Sequence, residues 1–231
     1  MNRRDFLLAT SATAVAGCVA VGGAPGAPAP APTYRVGDRW AYRGSDGFRQ
    51  PVTWDEVHEV TSVGADGIVL HITQKGPQVD TARTERLTAP GVVAVGAVFD
   101  AETRVFKPPL ERYRFPLTPG ASWRQTADNY NETLGKDDPL LRYVQVGGWE
   151  TIATAAGSFD AIVLREIMQL DLNDAFKYPM QCNYEIWWAP AVGGVVRETK
   201  SATYREKGDM GSAVDFRSQN TVLELVSYRR G

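Results

Sequence analysis

Glu150, Asp160 and Glu166 fall within one stretch of alternating sequence. Paired carboxylates are the minimum equipment for general acid–base hydrolysis. No regular spacing ties these three together, so they make a site only if the fold converges them. His58-Glu59 begins as the zinc-protease motif does, but the only other histidine is His71, outside the required spacing. Asp171-Leu172-Asn173-Asp174 offers the first two ligand positions of a calcium loop and lacks its glycine and distal glutamate. A solvated hairpin loop is expected there. No glycine-rich phosphate loop and no Gly-x-Ser-x-Gly elbow occurs. Cys18 and Cys182 are the only cysteines. No zinc set of the usual type assembles from these residues without carboxylates. The pattern argues against an enzyme and against a bound cofactor or metal.

Binding is the chemistry that remains. Six tryptophans are present, and Trp40, Trp123 and Trp149 each closely follow a turn glycine. They are candidate linings for an apolar or sugar-like ligand; the alternative is that they plug the ends of a sheet. Glu166 shares a strand face with Leu164 and Met168. If that face points inward, the carboxylate must be paired or protonated. Arg197 and Arg142 are candidate partners, and a polar anchor inside a cavity is the functional alternative. Cys182 begins a strand and reads as a buried apolar side chain, with a reactive or intermolecular thiol as the alternative.

The elements that must position these residues are β-strands. Tyr143 to Arg205 reads as consecutive hairpins. Val144 and Val146 alternate with Tyr143 and Gln145, the period of a half-buried strand. Gly147-Gly148 interrupts them as a bulge would. Phe159 to Leu170 puts Ile162, Leu164, Met168 and Leu170 on one face. Further strands are expected over Tyr34–Arg43, Val52–Val63, Ile68–Lys75, Thr81–Leu87, Val92–Phe99 and Thr221–Arg229. Gly64-Ala65-Asp66-Gly67 is a hairpin turn. Pro108, Pro109, Pro116 and Pro119 argue against a central strand between Asp100 and Gly120. Asp128–Leu141 and Glu206–Ser218 read as polar loops. No sustained helical period occurs. The expected fold is therefore all-β: an antiparallel meander of long strands curled into a half-barrel or flattened barrel, its concave face a ligand site.

The N-terminus reads as an address. Residues 1–17 combine Arg3-Arg4, an apolar small-residue run and a cleavage region, the layout of a signal peptide. Arg3, Arg4, Phe6 and Leu7 resemble the twin-arginine export signature, with Asn2 and Leu8 departing from its ends. Val15-Ala16-Gly17-Cys18 resembles the bacterial lipobox, which implies a lipid-modified Cys18. Residues 18–33 are rich in Ala, Gly and Pro and read as an extended tether. A single domain is expected over 34–231. Charge is nearly balanced, 25 Lys+Arg against 27 Asp+Glu, which argues against a nucleic-acid partner.

The Tyr34–Trp40 run, Phe115–Trp123, Ala156–Ala161 and Trp187–Val195 together resemble periplasmic β domains of proteobacteria known only as domains of unknown function. That resemblance brings no catalytic residues. Lipoprotein carriers of the Lol type are similar in architecture alone. The resulting expectation is a non-enzymatic lipoprotein on the periplasmic face of a bacterial membrane. It would bind a lipid, another apolar ligand or an envelope protein on its concave face. The alternatives are a scaffolding module with a packed interior and an exposed strand edge, or a carboxylate-dependent hydrolase.

Overall fold

The computed structural model describes residues 26–47, 52–98, 102–132, 134–207 and 215–231. Arg3, Arg4, Phe6, Leu7 and Cys18 lie outside the described residues. The strands are β1 (Arg39–Asp46), β2 (Val52–Gly64), β3 (Gly67–Gly76), β4 (Val79–Ala89), β5 (Val92–Gly96) and β6 (Arg104–Glu111). They continue as β7 (Ser122–Asn131), β8 (Lys136–Thr154), β9 (Gly157–Leu170), β10 (Met180–Ala189), β11 (Gly194–Arg205) and β12 (Asp215–Arg229). Each pairs antiparallel with its sequence neighbours, and β1 pairs with β12. The meander is thus a closed barrel, fuller than a half-barrel, with no helix among the described residues.

Alternation sets which side chains point inward. Ile68, Leu70 and Ile72 of β3 are buried. So are Ile162, Leu164, Met168 and Leu170 of β9. Asp55, Arg124, Gln145, Arg165 and Gln181 point outward, exposed. The β8–β9 ladder shifts register between Val146 and Trp149, so Gly147-Gly148 forms the bulge. Beyond it the hairpin reaches neighbouring strands. Phe159 meets Tyr228 of β12 edge-on, and the Trp187 indole of β10 donates to Glu150 at 2.8 Å.

Three loop expectations are corrected. Asp128–Leu141 is mostly strand: β7 runs to Asn131 and β8 starts at Lys136, with Pro139 opposite Asp128. β12 begins at Asp215, inside the expected Glu206–Ser218 loop. The proline-rich segment contains β6, a strand with neighbours on both sides. Its ladder to β7 runs only from Arg104 to Lys107 and stops before Pro108. On the β5 side, pairing jumps from Val105 to Leu110. The prolines therefore occupy the gap, where no ladder donor is needed. Gln125 of β7 bridges it: its amide oxygen accepts from the Glu111 N–H (2.8 Å), and its Nε2 donates to the Pro109 carbonyl (2.8 Å).

The chain before β1 is docked to the barrel. Trp149 Nε1 donates to the Ala27 carbonyl at 2.9 Å. Ala29 is fully buried and exchanges two backbone hydrogen bonds with Leu117, each 2.8 Å. Arg230 donates to the Thr33 carbonyl at 2.6 Å. The segment expected to be free tether up to Thr33 is held to the domain from Ala27 onward.

Candidate functional site

Among the described residues, the barrel is closed at one end and open at the other. The closed end holds the turns 65–66, 90–91, 155–156 and 190–193, the loop 112–121 and both ends of the described chain. Trp40 Nε1 donates to the Val192 carbonyl (3.1 Å) and the Tyr42 hydroxyl to that of Val195 (3.1 Å). Phe115 packs on Trp188, ring centroids 5.1 Å apart, and Tyr34 stands edge-on to Trp40. These aromatics form a floor. Across the lumen, Phe106, Leu110, Leu140, Val144 and Leu164 belong to the packed core. The interior is therefore part core and part cavity.

The cavity measures about 900 Å³ and reaches Asp46, Asp80 and Thr81 at the open end. This is within the range of small-molecule sites. Trp40, Tyr42, Trp54, Tyr113, Tyr184 and Trp188 are its aromatic lining. The Trp54 indole lies against Gly44, the residue opposite it on β1; a Cβ there would come within 2.2 Å of the ring. Only glycine leaves that ring its place.

A polar row crosses the same cavity. Trp54, Glu56 and His58 alternate on β2, and Arg83 and Glu85 on β4. Glu56 accepts from Trp54 Nε1 (2.9 Å) and Gln74 Nε2 (2.8 Å), with His58 Nε2 at 2.7 Å. Arg83 lies between the two carboxylates, 3.5 Å from Glu56 and 3.7 Å from Glu85. Glu85 also receives Arg112 at 2.9 and 3.4 Å. Burial works against ionising Glu85, but the charges of Arg112 and Arg83 outweigh it and bring its carboxyl down to about 2. Burial likewise opposes ionisation of Glu56, and the His58 hydrogen bond and charge, with Arg83, hold it well below the usual carboxylate range. Burial raises the phenols of Tyr42 and Tyr184 well above the ordinary tyrosine range. The lumen thus presents ionised carboxylates, neutral phenols and no poised acid among these groups.

Trp40 and Glu166 line this cavity. Glu166 is held by Arg142, which donates through Nε at 2.9 Å and through its terminal nitrogen. Arg197 instead faces Glu224. Trp123 and Trp149 are not among the lining residues. Trp123 donates to the Glu111 carbonyl at 3.3 Å beneath Arg114, and Trp149 holds the N-terminal segment. Glu150 and Asp160 do not converge with Glu166. Both are exposed, and Asp160 accepts from Thr151 at 2.9 Å. Asp174 caps its own loop by accepting from the N–H groups of Phe176 and Lys177 at 2.8 and 2.9 Å. Cys182 is buried in β10 opposite Met168.

The residues missed in the sequence are Trp54, Glu56, Arg83, Glu85 and Arg112. The alternation of Trp54, Glu56 and His58 within the expected second strand did place them on one face. Nothing periodic marks Arg112, which follows β6 at the closed end.

No protein-family model matches the sequence, and no curated protein matches it. The fold is similar to that of a candidate lipoprotein from Parabacteroides distasonis: TM-score 0.50, 13% identity, 87% of this chain and 97% of that one. A candidate exported protein with a YmcC-like fold from Bacteroides fragilis also matches, at TM-score 0.49 and 13% identity, over 88% of this chain and 100% of that one. The hypothetical lipoprotein YmcC from Escherichia coli matches at TM-score 0.40 and 10% identity, over 81% of this chain and 84% of that one. At these identities the likeness to the Parabacteroides protein is one of fold.

Proposed function

We propose that this protein is an exported, lipid-anchored and non-enzymatic barrel that holds a small ligand in its one-ended lumen. The observation that carries the reading is the cavity of about 900 Å³, floored by Trp40 and Trp188 and open at the other end. A packed scaffold would not leave this space. An exposed strand edge for a partner is not offered, since each described strand has two neighbours. A two-carboxylate hydrolase needs one carboxyl protonated, whereas Glu56 and Glu85 are both held ionised.

The address supports placement on the periplasmic face of a bacterial membrane, with Cys18 as the lipid site. Docking of the N-terminal segment then supports one orientation. Only residues 19–25 lie between Cys18 and Gly26, and they span at most roughly 25 Å. The closed end faces the membrane, and the mouth faces away from it. Ligand is exchanged with the aqueous compartment or a soluble partner.

Native mass spectrometry of the full chain recovered from a bacterial envelope tests this reading. A retained small molecule, lost on unfolding, is the expected result. Protein mass alone, with an empty lumen that takes up no apolar probe, would overturn it.

A further inference from the structure

We propose that the lumen selects an uncharged ligand, one with an apolar body and a hydrogen-bonding head, and rejects both anions and cations. This rests on the lumen-binding reading above and specifies its ligand. The argument is a census of the charges on the cavity wall.

Each buried carboxylate of the wall is already engaged by groups of the protein. Glu56 is met by Trp54, Gln74 and His58, with Arg83 nearby. Glu85 takes Arg112 on two nitrogens and the Ala97 N–H at 3.4 Å. Glu166 takes Arg142 on two nitrogens. Nearer the middle of β11, Glu198 takes Lys200 at 2.9 Å.

The cations are committed in the same way. Arg142 also donates to the Glu111 carbonyl at 2.6 Å, and Arg112 to that of Ala97 at 2.9 Å. Arg83 is shared by two carboxylates, and its Nε, sealed from solvent, finds no acceptor within hydrogen-bond distance. At the mouth stand Asp46 and Asp80, both acidic, and Asp46 is itself engaged by the Asn220 N–H at 2.8 Å.

Among the described residues, a charged ligand head buried past the mouth would meet no free countercharge. Desolvating an ion without a partner is strongly unfavourable in a protein interior, so the charged head is excluded. An anion would also pass two carboxylates at the mouth. A neutral head pays no such penalty. It hydrogen-bonds to the edges of the Glu56, Gln74 and Arg83 row, while its apolar body lies on Trp40, Trp54 and Trp188.

The test uses the full chain, freed of detergent, with the neutral fluorophore N-phenyl-1-naphthylamine in the lumen. Three amphiphiles of equal chain length compete: monolauroylglycerol (neutral), dodecanoate (anionic) and dodecylamine (cationic). Monolauroylglycerol should displace the fluorophore at a concentration at least about tenfold lower than either ion. Glu85→Gln releases Arg112 and Arg83 from a negative charge. In that variant dodecanoate should gain about tenfold and dodecylamine should not. Glu198→Gln, at a pair partly open to solvent, frees Lys200 and gives the same gain in a variant with less burden on folding. Equal or tighter displacement by either ion from the wild-type protein overturns the proposal. So do folded Glu85→Gln and Glu198→Gln variants in which dodecanoate gains nothing over the wild type. If the folded protein takes up neither the fluorophore nor any competitor, the lumen-binding reading itself fails; binding without charge preference removes only the selectivity.

Discussion

Arg142 and Glu166 are diagonal neighbours across the β8–β9 ladder, and their side chains are only 1% and 4% exposed. Arg142 stands opposite Met168 and Glu166 opposite Val144. The guanidinium also reaches the Glu111 carbonyl, tying the β8 wall to the end of β6. Breaking such a pair by removing one partner strands a buried charge. Arg142→Met or Glu166→Leu alone should cost about 3–5 kcal/mol. The double variant should cost less than either single one. Urea unfolding of the four proteins checks this; a double variant that loses the sum of the single losses would refute the coupling.

Acid should loosen the lumen before neutral or mildly alkaline pH does. Glu85 has its folded value depressed to about 2, and Glu56 is depressed as well. A depressed carboxylate contributes stability above its unfolded value, roughly 4.3, and loses it as pH falls through the folded value. For Glu85 that contribution is about 3 kcal/mol at neutral pH. The unfolding midpoint should therefore decline from about pH 5 down toward 2. Glu85→Gln should flatten that slope. A wild-type midpoint that is level from pH 6 to 3 would contradict the assignment.

The β8–β9 hairpin should be the most protected part of the barrel. Leu164 is fully buried, so Leu164→Ala should cost about 2–5 kcal/mol. Arg104 and Lys107 both lie on β6, in the proline-rich segment, but their surroundings differ. Lys107 is exposed, and its alanine variant should stay within about ±0.5 kcal/mol. Arg104 is buried at the start of β6 beside Glu102, 3.5 Å away, and its loss should cost more than that of Lys107. Hydrogen exchange gives an independent readout: amides of 159–170 should exchange far more slowly than those of 112–121.

Much of this architecture was legible. Val144 and Val146, then Gly147-Gly148, gave both the strand and its bulge. Ile68, Leu70 and Ile72 gave the inward face of β3. A barrel was one of the two expected forms; the pairing that closes it was not legible, because it joins residues remote in sequence such as Trp40 and Tyr228. β6 was hidden because prolines argue against a strand, and a glutamine side chain on the next strand fills the gap they leave. The polar half of the lumen was hidden for a different reason. In alternating sequence a charged residue marks the outer face, and Glu56, Arg83 and Glu85 reverse that rule by neutralising one another inside. The anticipated apolar cleft is consequently an aromatic cavity with a charged, internally paired wall.

Orientation can be read from a bilayer-borne quencher. Fluorophores at Val36→Cys, exposed at the closed end, and at Phe176→Cys, in an exposed loop at the open end, report the two distances. With the chain lipidated at Cys18, the label at 36 should be quenched and that at 176 should not. Cys18→Ser should abolish quenching of both and release the protein from membranes. Stronger quenching at 176 would turn the barrel over.

Ligand binding in the lumen is tested most directly by filling the space. Leu223 of β12 lines the cavity wall, and Leu223→Trp puts an indole into the space a ligand would use. Binding of N-phenyl-1-naphthylamine is measured by fluorescence titration, and folding by circular dichroism on the same sample. The account predicts at least about a tenfold loss of affinity with the β spectrum retained. A folded Leu223→Trp protein that binds the fluorophore as tightly as the wild type would contradict it.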